Sequence, residues 1–283
     1  MNLTDRIYVA VHAALALLVC VRHERVPHWP AYVVWNACMV AAIVLAARAP
    51  RKTNAWEFAH DWLPAFLFIT MFEEISFLSL AIRSQWQNAY IAGLEAALFG
   101  ASPMDWMHVH AREWLVEFLE FGYFAFYPLY PVVGGLSWAW RRRPPFVGAF
   151  RRLTDTLSIG YAICYATYLL FPTRSPANLL GVQQIGSARG VLFRHLVRFI
   201  QNSAGVHGNA FPSAHIMLAF VVLAFVYRYL PRVAPWLLLP ILLMCVGAVY
   251  DGYHYASDVI AGAAMGLALG WAGAARRGLQ LSP

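Results

Sequence analysis

The sequence predicts an all-α, polytopic membrane helical bundle of about eight spans, and three observations carry that expectation. Of its 283 residues, 60% are hydrophobic and only 12% are charged, about half the charged fraction of a soluble globular domain. Apolar runs of bilayer-crossing length recur along the chain, separated by short polar breaks. Most of the 21 basic residues stand at the ends of those runs, where they set topology. The formal net charge of +7 is therefore no argument for nucleic acid, and no basic patch with interleaved aromatics stands apart from a span.

A helix needs about 20 apolar residues to cross the bilayer. That criterion predicts spans over residues 5–21, 31–47, 62–82, 114–140, 153–171, 213–230, 235–250 and 257–275. The first and seventh are short, so either is open to a re-entrant or tilted arrangement. The opening stretch imitates a signal peptide ending Leu17-Leu18-Val19-Cys20, but Val19 stands where a small residue is wanted, and we read it as a retained first span. The third span carries Glu73 and Glu74 midway. The fourth carries Glu117 and Glu120 in its outer half, then Pro128, Pro131, Gly134 and Gly135, which predict a kink or break. Ionisable groups inside a span are expensive. Two readings of the glutamates stand side by side: they line a polar headgroup cavity, or they are satisfied by helix–helix hydrogen bonds or protonation.

The eighth span repeats Gly262, Gly266 and Gly270 at four-residue intervals, a small-residue face that admits a close helix neighbour. Cys20, Cys38, Cys164 and Cys245 all fall within apolar runs. They read as small buried hydrophobes, neither disulfide partners nor metal ligands. Two amphipathic stretches do not span. Residues 86–99, with Trp86, Tyr90, Ile91, Leu94 and Leu98, suit the outer interface. Residues 190–201 place Leu192, Leu196, Phe199 and Ile200 largely on one side, and Arg194 and Arg198, four apart, on another. An interfacial helix without chemistry accounts for both, although the arginine pair also fits a phosphate-facing role.

A cytoplasmic N-terminus assigns to the inside Arg6, the group Arg48, Arg51 and Lys52, the run Arg141, Arg142 and Arg143 with Arg151 and Arg152, then Arg228, Arg232, Arg276 and Arg277. This is the larger share of the basic residues, so both termini are expected in the cytoplasm. Three polar signatures then share the outer side. They are Phe171-Pro172-Thr173-Arg174-Ser175-Pro176, Gly208-Asn209-Ala210-Phe211-Pro212-Ser213-Ala214-His215, and His254-Tyr255-Ala256-Ser257-Asp258. Their residue types suit phosphoryl transfer. An Arg binds phosphate oxygens in bidentate fashion, and a helix N-terminus with a Ser adds backbone and hydroxyl donors. Two histidines can divide the work between a nucleophile oriented by a carboxylate and an acid for the leaving oxygen.

Pro212-Ser213-Ala214-His215 followed by His254-Tyr255-Ala256-Ser257-Asp258 resembles the second and third signature motifs of the type-2 phosphatidic acid phosphatase superfamily, whose members include lipid phosphatases and vanadium haloperoxidases. Arg174 resembles the Arg of the first motif. The resemblance covers roughly residues 150–275, which divides the chain into an N-terminal transmembrane region, 1–149, and a phosphatidic acid phosphatase-like catalytic core, 150–283. It implies that His254 attacks phosphorus to form a phosphohistidine, that Asp258 orients His254 and that His215 protonates the departing oxygen. Arg174 and Ser213 would hold the phosphoryl oxygens. It implies no cofactor and no metal; the expected partners are a membrane lipid substrate and the cell-membrane bilayer.

Two family cations are replaced. Thr167 stands seven residues before Arg174 where the first motif usually has Lys, and Ala248 stands six before His254 where the third has Arg. Arg174 alone under-compensates a phosphomonoester dianion, whereas a phosphodiester monoanion needs less positive charge. This resembles a branch that includes inositol phosphorylceramide synthases and sphingomyelin synthases, which move a phospho-headgroup between lipids. Asp61-Trp62-Leu63-Pro64 and Leu98-Phe99-Gly100 with Pro103 are similar to segments of bacterial relatives of the inositol-type enzymes. Arg194 or Arg198 would instead restore the charge for an ordinary lipid phosphatase, and Glu73 and Glu117 are candidate headgroup contacts. Two other classes compete: an intramembrane serine hydrolase with Ser213 as nucleophile and His254 as base, and a transporter using these groups as a pathway. The two halves of the chain show no repeat of the kind transporters carry.

Overall fold

In the computed structural model the described residues, 1–50, 53–110, 112–176, 190–204 and 208–275, are helical with connecting turns and contain no strand. Arg51, Lys52, Arg276 and Arg277, used above to assign topology, lie outside them. The first three helices are α1 (Leu3–Val21), α2 (Trp29–Arg48) and α3 (Asn54–Leu78). Two short helices follow, α4 (Asn88–Phe99) and α5 (Pro103–His108), then α6 (Glu113–Phe124) and α7 (Phe126–Ala139). The remainder comprises α8 (Ala149–Leu170), α9 (Phe193–Ala204), α10 (Ala214–Tyr229), α11 (Ala234–Tyr250) and α12 (Ala256–Ala275).

Local chemistry sets many of the boundaries. Asn2 and Asp5 form a reciprocal capping box at the start of α1, satisfying two backbone donors the helix leaves open. Thr53 accepts from Trp56 N–H at the start of α3, and Ser213 from Ile216 N–H at the start of α10. Gly100, at φ +75°, ends α4 in the left-handed conformation that glycine adopts without steric cost. The predicted fourth span is two helices, parted at Ala125. Pro128 lacks the N–H that would bond Phe124 C=O, and its ring crowds that carbonyl.

Among the described residues three helices suffice by length and composition to cross a membrane, α1, α2 and α12, and α10 and α11 are shorter apolar helices. This falls short of the expected count of about eight. The difference has a physical source: α3 and α8 have spanning lengths, but α3 carries Glu73 and Glu74 within the predicted span, α8 carries Thr154, Asp155 and Thr156 in its early turns, and the fourth predicted span is broken.

The glycine face of α12 packs on α10. A Cβ on Gly262 would stand 2.5 Å from Ser213 O, and one on Gly266 2.5 Å from Met217 O. The two backbones meet because these positions have no side chain, as the four-residue spacing predicts. Gly247 of α11 similarly admits Leu119 of α6. Helix ends sort into two groups. At one end Thr4 Oγ1 donates to Asp155 Oδ1 at 2.7 Å, and Arg141 pairs with Glu57 at 2.9 Å. At the other lie the C-termini of α3 and α8 and the N-termini of α10 and α12, joined by Asn209 Nδ2 donating to Phe72 O at 3.0 Å and Ser213 N–H donating to Asp258 O at 3.1 Å.

Candidate active site

All three polar signatures lie at that second end. His254 occupies the turn between α11 and α12, its N–H donating to Ala248 O at 2.9 Å. Its Nδ1 faces Asp258 Oδ2 at 3.4 Å and its Nε2 faces Ser213 Oγ at 3.1 Å. Asp258 Oδ2 also accepts Tyr255 N–H at 2.9 Å, which fixes the carboxylate against the turn. The carboxylate is fully buried, so a proton on Nδ1 is the arrangement that satisfies both groups. That tautomer leaves a lone pair on Nε2, and the Ser213 hydroxyl donates to it. Burial pushes the His254 imidazole down to about 4, against a smaller opposing pull from the Ala210 backbone. It is neutral at physiological pH.

Ser213 belongs to α10 as its N-cap, so its hydroxyl sits where the first N–H groups of that helix point outward. Two residues on, His215 stands on the same helix, 6.2 Å from the His254 ring. Rings surround it: Phe126 at 4.9 Å, Phe72 at 5.8 Å and Tyr123 at 6.4 Å, between centroids. His215 is half-buried, placed between this aromatic wall and the His254 ring.

Arg174 is anchored through its backbone. Asn88 Nδ2 donates to Arg174 O at 2.7 Å, Arg174 N–H donates to Asn88 Oδ1 at 3.1 Å, and the same Nδ2 reaches Tyr255 OH at 3.2 Å. The guanidinium lies 4.4 Å over the Trp86 ring, with Nε buried and without a hydrogen bond among the described residues. Thr173 Oγ1 accepts Phe211 N–H at 2.9 Å, tying the first signature to the second.

The replaced cations have physical counterparts. Ala248 is fully buried with its carbonyl engaged by His254, which leaves no room for an Arg side chain. Thr167 returns its hydroxyl to Ile163 O of its own helix. Arg194 is buried and pairs with Asp251 at 3.6 Å. Burial and Glu120 nonetheless push Asp251 well above the usual carboxylate range, and Arg194 and then Arg198 pull in the opposite direction. The positive charge of α9 is thus directed to a buried carboxylate group. Glu120 accepts Tyr253 OH at 2.7 Å.

Among the described residues neither Glu117 nor Glu73 hydrogen-bonds to His254 or Ser213. Glu117 accepts the N–H groups of Val191, Leu192, Phe193 and Arg194, so it caps α9. Glu73 is half-buried on α3. Its neighbour Glu74 takes a hydrogen bond from Asn36, which also meets His12 at 2.7 Å. Asn88 and Glu95 of α4 escaped the sequence reading. Glu95 Oε1 accepts Ala256 N–H at 2.6 Å and Ser257 N–H at 3.3 Å. Their signal was the spacing Asn88, Ile91, Glu95, one helical face that is buried throughout. Among the described residues no group of three or more His, Cys, Asp or Glu side chains is placed to hold a metal ion.

A family model described as PAP2 superfamily matches residues 89–272. No curated protein and no solved structure matches the chain.

Proposed function

The chain belongs to the PAP2 superfamily, whose members are generally phosphoesterases and phosphotransferases, and we propose that it is an integral-membrane enzyme cleaving a lipid phosphoester through a phosphohistidine at His254. The observation that carries this reading is the line Asp258–His254–Ser213: a carboxylate on Nδ1, and Nε2 aimed at the N-cap of α10. A phosphoryl group at that N-cap would take the Ser213 hydroxyl and helix N–H groups as donors, with Arg174 as the cation.

In the first step His254 Nε2 forms a bond to phosphorus as the phosphorus–oxygen bond to the leaving alcohol breaks. His215 delivers a proton to that oxygen. In the second step His215 removes a proton from the incoming hydroxyl, whose oxygen displaces His254. Water as acceptor makes a phosphatase, and a lipid or sugar hydroxyl makes a transferase. Arg174 as the lone signature cation favours a monoanionic diester, hence phospho-headgroup transfer between lipids.

The topology belongs to the same proposal. Eight crossings are made by α1, α2, α3, the broken pair α6–α7, α8, α10, α11 and α12. Both termini are cytoplasmic and the site faces the outer leaflet of the cell membrane. The N-terminal region, 1–149, lends α4 to the catalytic core, 150–283.

Reconstituted protein given monoester, diester and pyrophosphate lipids, with and without alcohol acceptors, is expected to convert a diester, read by mass spectrometry of the products. Turnover of monoesters alone would remove the transfer assignment. No turnover of any phosphoester would remove the reading.

The 3.1 Å approach of Ser213 Oγ to His254 Nε2 also favours a second reading, a serine hydrolase using the Ser213–His254–Asp258 line as a triad. Fluorophosphonate labelling that disappears in Ser213→Ala would select it. A phosphorylated His254 would exclude it.

A further inference from the structure

The start of α12 carries a problem of hydrogen bonding that its own sequence does not solve. A helix leaves its first N–H groups without intrahelical partners, and a Ser, Thr, Asp or Asn at the N-cap ordinarily accepts one of them. Here Tyr255 precedes the helix and has no such acceptor. Asp258 and Val259 N–H turn to Tyr255 O at 3.1 and 3.2 Å. Ala256 and Ser257 N–H are taken by Glu95 Oε1, from α4.

Glu95 is only 2% exposed. A buried carboxylate is costly unless it is hydrogen-bonded, and the positive end of a helix is the compensation available. Burial raises its proton affinity, the two N–H groups lower it, and the nearby charge of Asp258 raises it again. The acid nearest in sequence is Asp258, in the first turn of α12, whose Oδ1 is buried without a hydrogen bond among the described residues. Were Glu95 absent, Ala256 and Ser257 N–H would compete for that carboxylate and draw it from His254.

The same face of α4 holds the other half of the site. Asn88, at its first position, bonds both backbone groups of Arg174 and the hydroxyl of Tyr255. Gln87 N–H donates to Pro172 O at 2.8 Å, and Trp86 lies under the Arg174 guanidinium. One short helix thereby spans the phosphate-binding segment and the nucleophile segment.

We propose that Glu95 is a positioning residue for the phosphoryl-transfer site, capping α12 from α4 so that the Asp258 carboxylate remains on His254. The proposal rests on the function given above. Its test uses the purified full-length chain in lipid, comparing Glu95→Ala, Glu95→Gln and Glu95→Asp. Glu95→Ala is expected to lower kcat by about 100-fold, the scale of a misplaced catalytic group, with KM changed by less than about two-fold. Glu95→Gln, whose amide oxygen still accepts, should recover most of that loss, and Glu95→Asp, one methylene shorter, should not. In an Asp258→Asn background the Glu95→Ala loss should shrink to about three-fold or less, because the two residues act through one contact.

Hydrogen exchange over residues 254–259 supplies a readout independent of substrate, and Glu95→Ala should speed it about ten-fold or more. Unchanged exchange would overturn the proposal. So would a kcat loss that persists in full in the Asp258→Asn background. If Glu95→Ala fails to fold, equal kcat for Glu95→Gln and Glu95→Asp would overturn it. A wild-type protein inert on every phosphoester removes the functional reading alone; faster exchange in Glu95→Ala would still support the capping contact.

Discussion

His254 Nε2 lies 3.1 Å from Ser213 Oγ, across the junction of α10 and α12. The contact joins two segments 41 residues apart in sequence, and the Gly262 face that lets the helices meet maintains it. Chemistry and packing are linked at this junction.

On the roles proposed for them, removing the Asp258 carboxylate should be nearly as damaging as removing the His254 imidazole. His254→Ala is expected to abolish turnover. Asp258→Ala should lower kcat by about 10²–10⁴-fold, and Asp258→Asn should leave a larger residual because its shape still holds the turn. Steady-state kinetics on the reconstituted enzyme reads the order. Equal, small losses in all three would contradict the assigned roles.

The acid role proposed for His215 makes a different kind of forecast. His215→Ala should cost most with poor leaving groups, which need the proton, and least with good ones such as a nitrophenol. Rates across a leaving-group series should diverge. Parallel losses would assign His215 to binding.

The pH behaviour follows from burial of His254. Its imidazole titrates near 4 in the folded chain against 6.5 when unperturbed, so the acid limb of kcat/KM should fall near 4. Below 6.5 the unfolded chain binds the proton first. The stability contribution of neutral His254 is thus complete above 6.5 and is lost as pH falls toward about 4. Thermal unfolding measured across that window should show the loss in wild type and a smaller loss in His254→Gln.

Close packing at the α10–α12 seam sets a stability forecast. Gly266→Ala places a Cβ 2.5 Å from Met217 O, and overpacking of this kind costs about 1–3 kcal/mol. Gly262→Ala meets Ser213 O itself, so it should reduce kcat as well as stability. Unfolding midpoints in detergent, together with kcat, separate the two. If Gly262→Ala left kcat intact, the seam would not position Ser213.

Much of the architecture was legible in the chain. Apolar length alone placed the helices now seen at Leu3–Val21, Ala214–Tyr229 and Ala256–Ala275 to within a few residues, and the spacing of Gly262, Gly266 and Gly270 foretold a close neighbour. Pro128 marked the break, which lies three residues upstream because the ring obstructs the preceding turn. The grouping of His254, Asp258, Ser213 and His215 followed from the charge-based topology, which set their segments on one side, and from the resemblance of those segments to the family's motifs. What stayed hidden depends on backbone partners. Glu117 caps α9 and Glu95 caps α12 through N–H groups, which have no residue type to recognise. The Arg194–Asp251 pair was equally invisible, because a contact between α9 and the end of α11 has no sequence period.

The covalent intermediate tests the central claim most directly. The measurement is peptide mass spectrometry after an alkaline quench, with the enzyme trapped during turnover of a diester lipid. The expected result is an acid-labile adduct on His254 carrying the phosphorylated headgroup, absent from His254→Ala. An adduct on Ser213, or undiminished turnover in His254→Ala, would contradict the account.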